Sequence, residues 1–283
     1  MTDPQEAELT TTDGRRTVLT TGANSGIGLA TVLEAARRGH RSVGTVRSAA
    51  KAKTVHRAAA EAGVEVETAL LDVTDAETGA QIVEEYRPDA LVNNAGFSIT
   101  GAIEDVTDDE ARFAFETMVL APMRLARLAV PHMRDRGWGR IVNVSSIYGR
   151  TSTPLTGWYQ GCKHALEGLS DALRMELARD GIKVVLVEPG GFKTGIWEET
   201  EREVAKRAGS RFDPNYERTL ASARLWEPIM GAPAQCADVI VDVIEGNPRA
   251  RYLVGVDAQI VGAMERVVPT FVRDRIARLT LGL

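Results

Sequence analysis

The chain has 283 residues, 44% hydrophobic and 26% charged, with a formal charge of −5. It is long enough to bury a sizeable core and lacks the basic surplus that nucleic-acid or anionic-membrane binding demands. Its two cysteines, Cys162 and Cys236, make neither a disulfide framework nor a metal-ligand cluster, which fits a reducing, cytoplasmic setting. Residues 1–15 are polar, without the apolar core of a signal peptide, and read as a disordered lead-in. A strand over 16–22 precedes a helix over 26–40, followed by a strand at 41–47 and a helix to about Glu61. A strand at 64–73, a helix at 75–86 and a strand at 89–96 come next. A long helix from about Asp108 to Arg136 leads to a strand at 139–146, and a second from about Trp158 to Arg179 leads to a strand at 182–191. The run from Thr194 to about Glu227 is charged and weakly periodic, and a last strand falls at 251–255. The amphipathic, basic end of the chain reads as a docked terminal helix or as a contact for a membrane surface or partner. No apolar run approaches the ~20 residues of a membrane span.

Strands alternating with helices of this length predict a doubly wound α/β fold. About seven parallel strands are covered by helices on both faces, in one domain over 16–283. Within it, 195–230 reads as a substrate lid and 258–283 as a helical extension.

The first strand runs into "TTGANSGIG", where Gly22, Gly26 and Gly28 stand in a G-x-x-x-G-x-G pattern before a helix. Glycines let backbone N–H groups approach an anion, and the helix N-terminus adds a positive dipole end, so the turn suits a pyrophosphate. The second strand ends at Arg47, where an NAD site usually offers a carboxylate; a guanidinium instead suits a 2′-phosphate. NADP(H) is therefore preferred over NAD(H), with Arg15, Arg16 or Lys51 as possible helpers.

Tyr159 and Lys163 are one helical turn apart and share a helix face. A phenol titrates near 10, too high for neutral acid–base work, and a cation within about 4–6 Å pulls that value down. Taken alone, the pair reads as ordinary helix surface. Ser146 lies thirteen residues upstream at a strand tip, with Ser145 as the adjacent alternative.

Together these motifs resemble the short-chain dehydrogenase/reductase family over residues 17 to 194. The resemblance implies that Tyr159 is the general acid/base, Lys163 tunes it and holds the nicotinamide ribose, and Ser146 orients the substrate oxygen. Asn24, Ser25 and Ile27 join the glycine turn as cofactor contacts. Asp72 would meet the adenine amino group, with Val73 beside it; Asp72 reads equally as the cap of the next helix. In "NNAG", Asn93 would brace the sheet while Ala95 and Gly96 admit the cofactor ribose. In "VEPGGFKT", Pro189 and Gly190 would wall the nicotinamide, with Phe192 alongside and Thr194 holding its carboxamide or the pyrophosphate. Many members carry an asparagine where this chain has Met118. There it supports a bend whose carbonyl holds a water of a proton relay. Met118 leaves three readings: a relay through backbone alone, a slower altered relay, or a nucleotide-binding regulator with little turnover. An epimerase or dehydratase on the same fold is a further alternative. Phe97, Tyr148, Trp158 and Trp197, with Ile147, Leu155 and Met118, suggest an apolar alcohol or ketone of moderate size, steroid-like or retinoid-like in shape. The expected partners are a small-molecule substrate and a second copy of the chain, as homodimer or homotetramer; no metal, nucleic acid or integral membrane association is expected.

Overall fold

In the computed structural model, residues 15–193, 196–226 and 230–283 are described. The expected lead-in over 1–15 thus lies almost wholly outside the described residues. The strands are β1 (Thr17–Thr20), β2 (Arg41–Val46), β3 (Glu67–Leu70), β4 (Ala90–Asn93), β5 (Gly139–Val144), β6 (Ile182–Pro189) and β7 (Arg251–Val254). They form one sheet in the order β3-β2-β1-β4-β5-β6-β7, with every neighbouring pair parallel. This is the doubly wound α/β sheet the alternation predicts. The chain reverses its direction of travel between β3 and β4, so β1 and β4 become neighbours at the switch point where such sheets bind ligands.

Successive strand residues face opposite layers. Val18, Val92, Val142 and Val185 pack with Ile240 and Ile244 of α9 (Pro233–Glu245) and Ala35 of α1 (Gly26–Arg37). Leu19, Leu91, Ile141 and Val184 pack on the other face, with Ile82 of α3 (Ala76–Tyr86) and Leu125 of α5 (Ala121–Asp135). The helix α2 (Ala49–Ala62) packs over the β2–β3 end of the sheet through Val55 and Ala59.

The helix expected from Asp108 to Arg136 is not uniform. The helix α4 (Asp108–Phe115) passes into a π-helical turn, Glu116–Leu120, before α5. Pro122 lacks the N–H that would return to the Met118 carbonyl in an α-helix, and the wider turn accommodates that missing bond. The helix α6 (Gly157–Glu176) follows the strand β5. The weakly periodic run after Thr194 contains two helices, α7 (Ile196–Ala205) and α8 (Asp213–Trp226), and the C-terminal region contains α10 (Val256–Val267) and α11 (Thr270–Leu281), separated at Pro269. Among the described residues, no helix is long and apolar enough to cross a membrane.

Just beyond α7, Arg207 is 7% exposed and donates to both carboxylate oxygens of Glu110 at 2.9 and 2.7 Å. The Tyr216 hydroxyl donates to Asp105 at 2.6 Å and accepts from the Ala102 N–H at 2.7 Å. Asn215 donates to the Leu281 carbonyl at 2.8 Å, joining α8 to α11.

Candidate active site

A cleft of about 1830 Å³ runs along the carboxyl ends of the strands. Gly22, Asn24, Ser25, Gly26 and Ile27 line one end of it. Gly22 and Gly26 have φ of +69° and +54°, a conformation that a side chain would strain. Ser25 sits at the N-cap of α1 without capping it, and the first turn of that helix holds no acidic residue. The leading N–H groups of α1 therefore meet the cleft with neither a capping side chain nor an opposing carboxylate, as an anion requires.

Arg47 is exposed at the end of β2, and Lys51 follows on the first turn of α2; both line the cleft. Partial burial and the Arg47 charge push the Lys51 ammonium below its ordinary pKa, so two cations lie close together there. Asp72 and Val73 also line the cleft. The Asp72 carboxylate accepts from the Thr74 N–H at 3.0 Å and the Thr74 hydroxyl at 2.7 Å, while Asp75 caps α3. Of the two readings for Asp72, the helix cap is thus corrected.

At the other end, Ser146, Tyr148, Tyr159 and Lys163 converge. Ser146 follows β5, where the strand gives way to a short 3-10 turn, and its hydroxyl accepts from the Tyr148 N–H at 3.2 Å. The Tyr159 phenol meets the Ser146 hydroxyl, and its ring stands edge-on to Tyr148 with centroids 6.4 Å apart. The Lys163 ammonium donates to the carbonyl of Val144, the last residue of β5, at 2.9 Å, and lies 5.7 Å from the Tyr159 ring centroid. Burial pushes Tyr159 up to about 12, against the opposing effect of Ser146, and pushes Lys163 down to about 8. Within the protein alone, desolvation of the phenol therefore outweighs the lowering expected from the ammonium. Ala95, Gly96, Phe97, Pro189, Gly190 and Phe192 complete the wall between the two ends.

Four expected site residues do not line the cleft. A Cβ on Gly28 would lie 2.3 Å from the Gly22 carbonyl oxygen and 2.4 Å from Asn94 Nδ2, so Gly28 permits close packing beneath the turn. Asn93 is buried and donates to Asn143 Oδ1 at 2.8 Å and to the Pro122 carbonyl at 3.2 Å, bracing β4 against β5 and α5. Met118 is 1% exposed, packed with Ile99, Ala114 and Cys162 under Gly96. Trp158 turns away, its indole donating to the Ile103 carbonyl at 3.3 Å. Leu155, an expected apolar neighbour, is likewise buried away from the cleft, where its carbonyl accepts from the Gly101 N–H. Thr194 and the side chain of Trp197 lie outside the described residues.

Sequence reasoning missed several cleft residues. Asn94 donates to the carbonyls of Thr21 at 2.9 Å and Gly22 at 3.2 Å, fixing the glycine turn from the β4 side. Its signal was present, as the second asparagine of "NNAG". Asp257 accepts from the Gly191 N–H at 2.6 Å, and Glu199 of α7 accepts from the Ser98 N–H at 3.4 Å. Burial raises the Glu199 carboxyl, and its charge adds to the upward push on Tyr159. Neither residue belongs to a local motif, so only the fold could bring them in.

A model of the short chain dehydrogenases matches residues 16–205. The chain belongs to the short-chain dehydrogenase/reductase family. It is thus an oxidoreductase by family, and its relatives span most of its length. An uncharacterized oxidoreductase, YusZ, of Bacillus subtilis is 36% identical over 234 residues, covering 80% of this chain and 83% of that one. A 3-ketodihydrosphingosine reductase of Bacteroides thetaiotaomicron is 32% identical over 257 residues, covering 88% and 91%. The crystal structure of an actinorhodin polyketide ketoreductase variant with NADPH matches this short-chain dehydrogenase/reductase with a TM-score of 0.73. It is 28% identical and covers 88% of this chain and 97% of that one.

Proposed function

We propose that the chain is an NADP(H)-dependent oxidoreductase interconverting a secondary alcohol and a ketone or aldehyde on a moderately sized apolar molecule. The observation that carries this reading is the meeting of Ser146, Tyr159 and Lys163 in one cleft with the glycine turn and the Arg47–Lys51 pair. The residues fit a dinucleotide: the N–H groups of α1 face the cleft uncapped, and the two cations suit a 2′-phosphate. The relative solved with NADPH supports the same preference.

When bound, the cofactor supplies or accepts the hydride at the substrate carbon. The chain itself handles the oxygen and the proton. Ser146 and Tyr159 hydroxyls hold the carbonyl oxygen, and Tyr159 donates its proton as negative charge develops there. Lys163 is fixed by the Val144 carbonyl at the end of β5, with its ammonium near the tyrosine ring, and it is the residue that would hold the cofactor ribose. A raised phenol pKa keeps the acid protonated for reduction. In the oxidising direction it is a cost that the Lys163 charge helps offset.

Phe97, Phe113, Ile147, Ile260 and Met264 line the cleft and favour an apolar substrate; the relative that reduces 3-ketodihydrosphingosine supports an elongated one. Met118 lies beneath Gly96, in the apolar cluster against which Tyr159 packs, and does not line the cleft, so the residue that raised the regulator reading leaves the cleft open at the acid–base group. Exposed Leu120, Leu169 and Met175 on the π-helical turn and α6 support pairing of two copies. The test is NADPH oxidation across a panel of apolar ketones and aldehydes. Tight NADPH binding with no turnover of any carbonyl would overturn the enzyme reading in favour of a regulator.

A further inference from the structure

Reduction of a carbonyl takes one proton from solvent per turnover, and the pair that handles it is enclosed: Lys163 is 6% exposed and Tyr159 is partly buried beside it. A second cavity, about 690 Å³, lies behind α6 and is lined by Gly149, Arg150, His164, Glu167, Arg251 and Glu265, among others. Ser145 lines the catalytic cleft and Glu167 lines the second cavity, and the two side chains meet in the wall between them. Ser145 Oγ and Glu167 Oε1 are both buried and short of a well-formed hydrogen bond, as is Glu188 Oε1 close by. A cluster of buried, incompletely satisfied polar atoms marks a place for mobile protons or water. Gly149 holds it open: a Cβ there would lie 2.8 Å from Ser145 Oγ and 3.0 Å from Glu167 Cγ. Glu167 is also one helical turn beyond Lys163, close enough for its charge to act on that ammonium.

From this juxtaposition we infer that Glu167 and Ser145 carry protons from the second cavity to the Lys163–Tyr159 pair. The inference rests on the reductase reading above. Glu167 acts through its neighbours and touches neither substrate nor cofactor. In reduction, Glu167 as carboxylic acid releases a proton toward Ser145 and the buried pair, restoring the phenol. The carboxylate left behind takes a proton back from water in the second cavity, so only a proton moves and no bond order changes elsewhere. The groups facing Glu167 are Arg251 of β7 at 3.0 Å, Glu188 of β6, Arg150 beyond the 3-10 turn, and Lys163 on its own helix. Burial pushes the Glu167 carboxyl up against the opposing pull of Ser145 and the two arginines, so the acid persists above the usual carboxylate range. Its supply of protons fails as pH rises through that raised value.

The experiment follows NADPH-driven reduction of 2-decanone and of all-trans-retinal by the full chain, with carboxyl infrared bands recorded during a pH titration. For Glu167→Gln, kcat should fall about tenfold, less than the roughly 10²–10⁴ of a direct acid, with a larger solvent deuterium isotope effect and unchanged NADPH affinity. Glu167→Asp should recover most of the rate. Gly149→Ala should reproduce the loss by filling the gap, and serves if Glu167→Gln does not fold. A carboxyl band that titrates above the ordinary range and vanishes in Glu167→Gln supports the proposal even without a turned-over carbonyl. An unchanged kcat and pH profile in Glu167→Gln overturns it. So does equal loss of rate, NADPH affinity and thermal stability in both Gln and Asp variants, which marks a purely structural role. Turnover surviving in Tyr159→Phe would instead sink the acid role of Tyr159, and no turnover of any carbonyl would sink the reductase reading; in either case the infrared titration remains the test of Glu167.

Discussion

Lys163 is anchored beside Tyr159: its ammonium lies 5.7 Å from the centre of that ring and bonds the Val144 carbonyl at 2.9 Å. The two side chains share a cleft and a helix face, yet the cation is anchored to the end of the neighbouring strand. In the proposed mechanism its influence on the phenol is therefore a through-space field, not a shared hydrogen bond. Replacing Tyr159 by Phe should abolish carbonyl reduction while NADPH affinity changes little. Lys163→Met should lower both, since in the proposed reading that residue serves the ribose as well as the field. Stopped-flow turnover and fluorescence titration of NADPH separate the two.

Arg47 and Lys51 make the cofactor choice testable. Each charged hydrogen bond to a phosphate contributes about 1.5–3 kcal/mol, or roughly tenfold or more in Kd. Arg47→Ala is expected to weaken NADPH by at least that factor with NADH affected far less. Parallel losses for both cofactors would remove the phosphate-clamp assignment.

Asn94 and Gly28 act on the glycine turn from behind. Asn94→Ala removes two donations to the carbonyls of Thr21 and Gly22, and at about 1 kcal/mol per bond NADPH affinity should drop some tenfold. Gly28→Ala meets backbone, not a yielding side chain, so it should abolish cofactor binding while circular dichroism shows the sheet intact. Wild-type affinity in Gly28→Ala would mean the turn is not the cradle.

Met118→Asn tests the departure from the family's usual residue. The amide would enter an apolar cluster with Ile99, Val106 and Ala111, at about 1–3 kcal/mol of stability if no partner is found. No gain in turnover is expected. A faster Met118→Asn enzyme would show that the side chain, and not the π-helical turn around it, matters to the chemistry.

Burial of Tyr159 and Lys163 also predicts a pH signature of the cofactor-free chain. Lys163 falls from its ordinary 10.5 to about 8, so between these values the unfolded chain holds a proton the folded one has released, and stability rises with pH. Tyr159 rises from 10 to about 12, so between these values the folded chain holds the extra proton and stability falls. Each limb is worth about 1–3 kcal/mol. Denaturation at fixed pH should show Lys163→Met without the rising limb and Tyr159→Phe without the falling one. A parallel rise in wild type and Lys163→Met would mean the ammonium is solvated.

The sheet and its ligand-facing turns were legible because both come from short-range chemistry. Alternating apolar runs gave β1 to β7, and Gly22, Gly26 and Arg47 sit beside strand ends that any doubly wound sheet brings together. The bend at Met118 was legible in part: Pro122 stands four residues on, but an overall helical pattern hid it. Trp158 was read as a cleft residue because it adjoins Tyr159, and Met118 because it stands where many family members carry an asparagine, whereas helical rotation carries both into packing. Glu199, Asp257 and Glu167 meet partners 101, 66 and 84 residues away in Ser98, Gly191 and Arg251, which no local pattern encodes.

The anchoring of Arg207 on Glu110, with Tyr216 on Asp105, has a bearing on recognition. The segment carrying α7 and α8 is braced from α4 and the loop before it as the chain folds. A guest entering the cleft therefore meets a rigid host and need not immobilise α8 on arrival, and discrimination rests on shape more than on closure. Loosening that brace should make the chain more tolerant of misfitting guests and weaker for the right one.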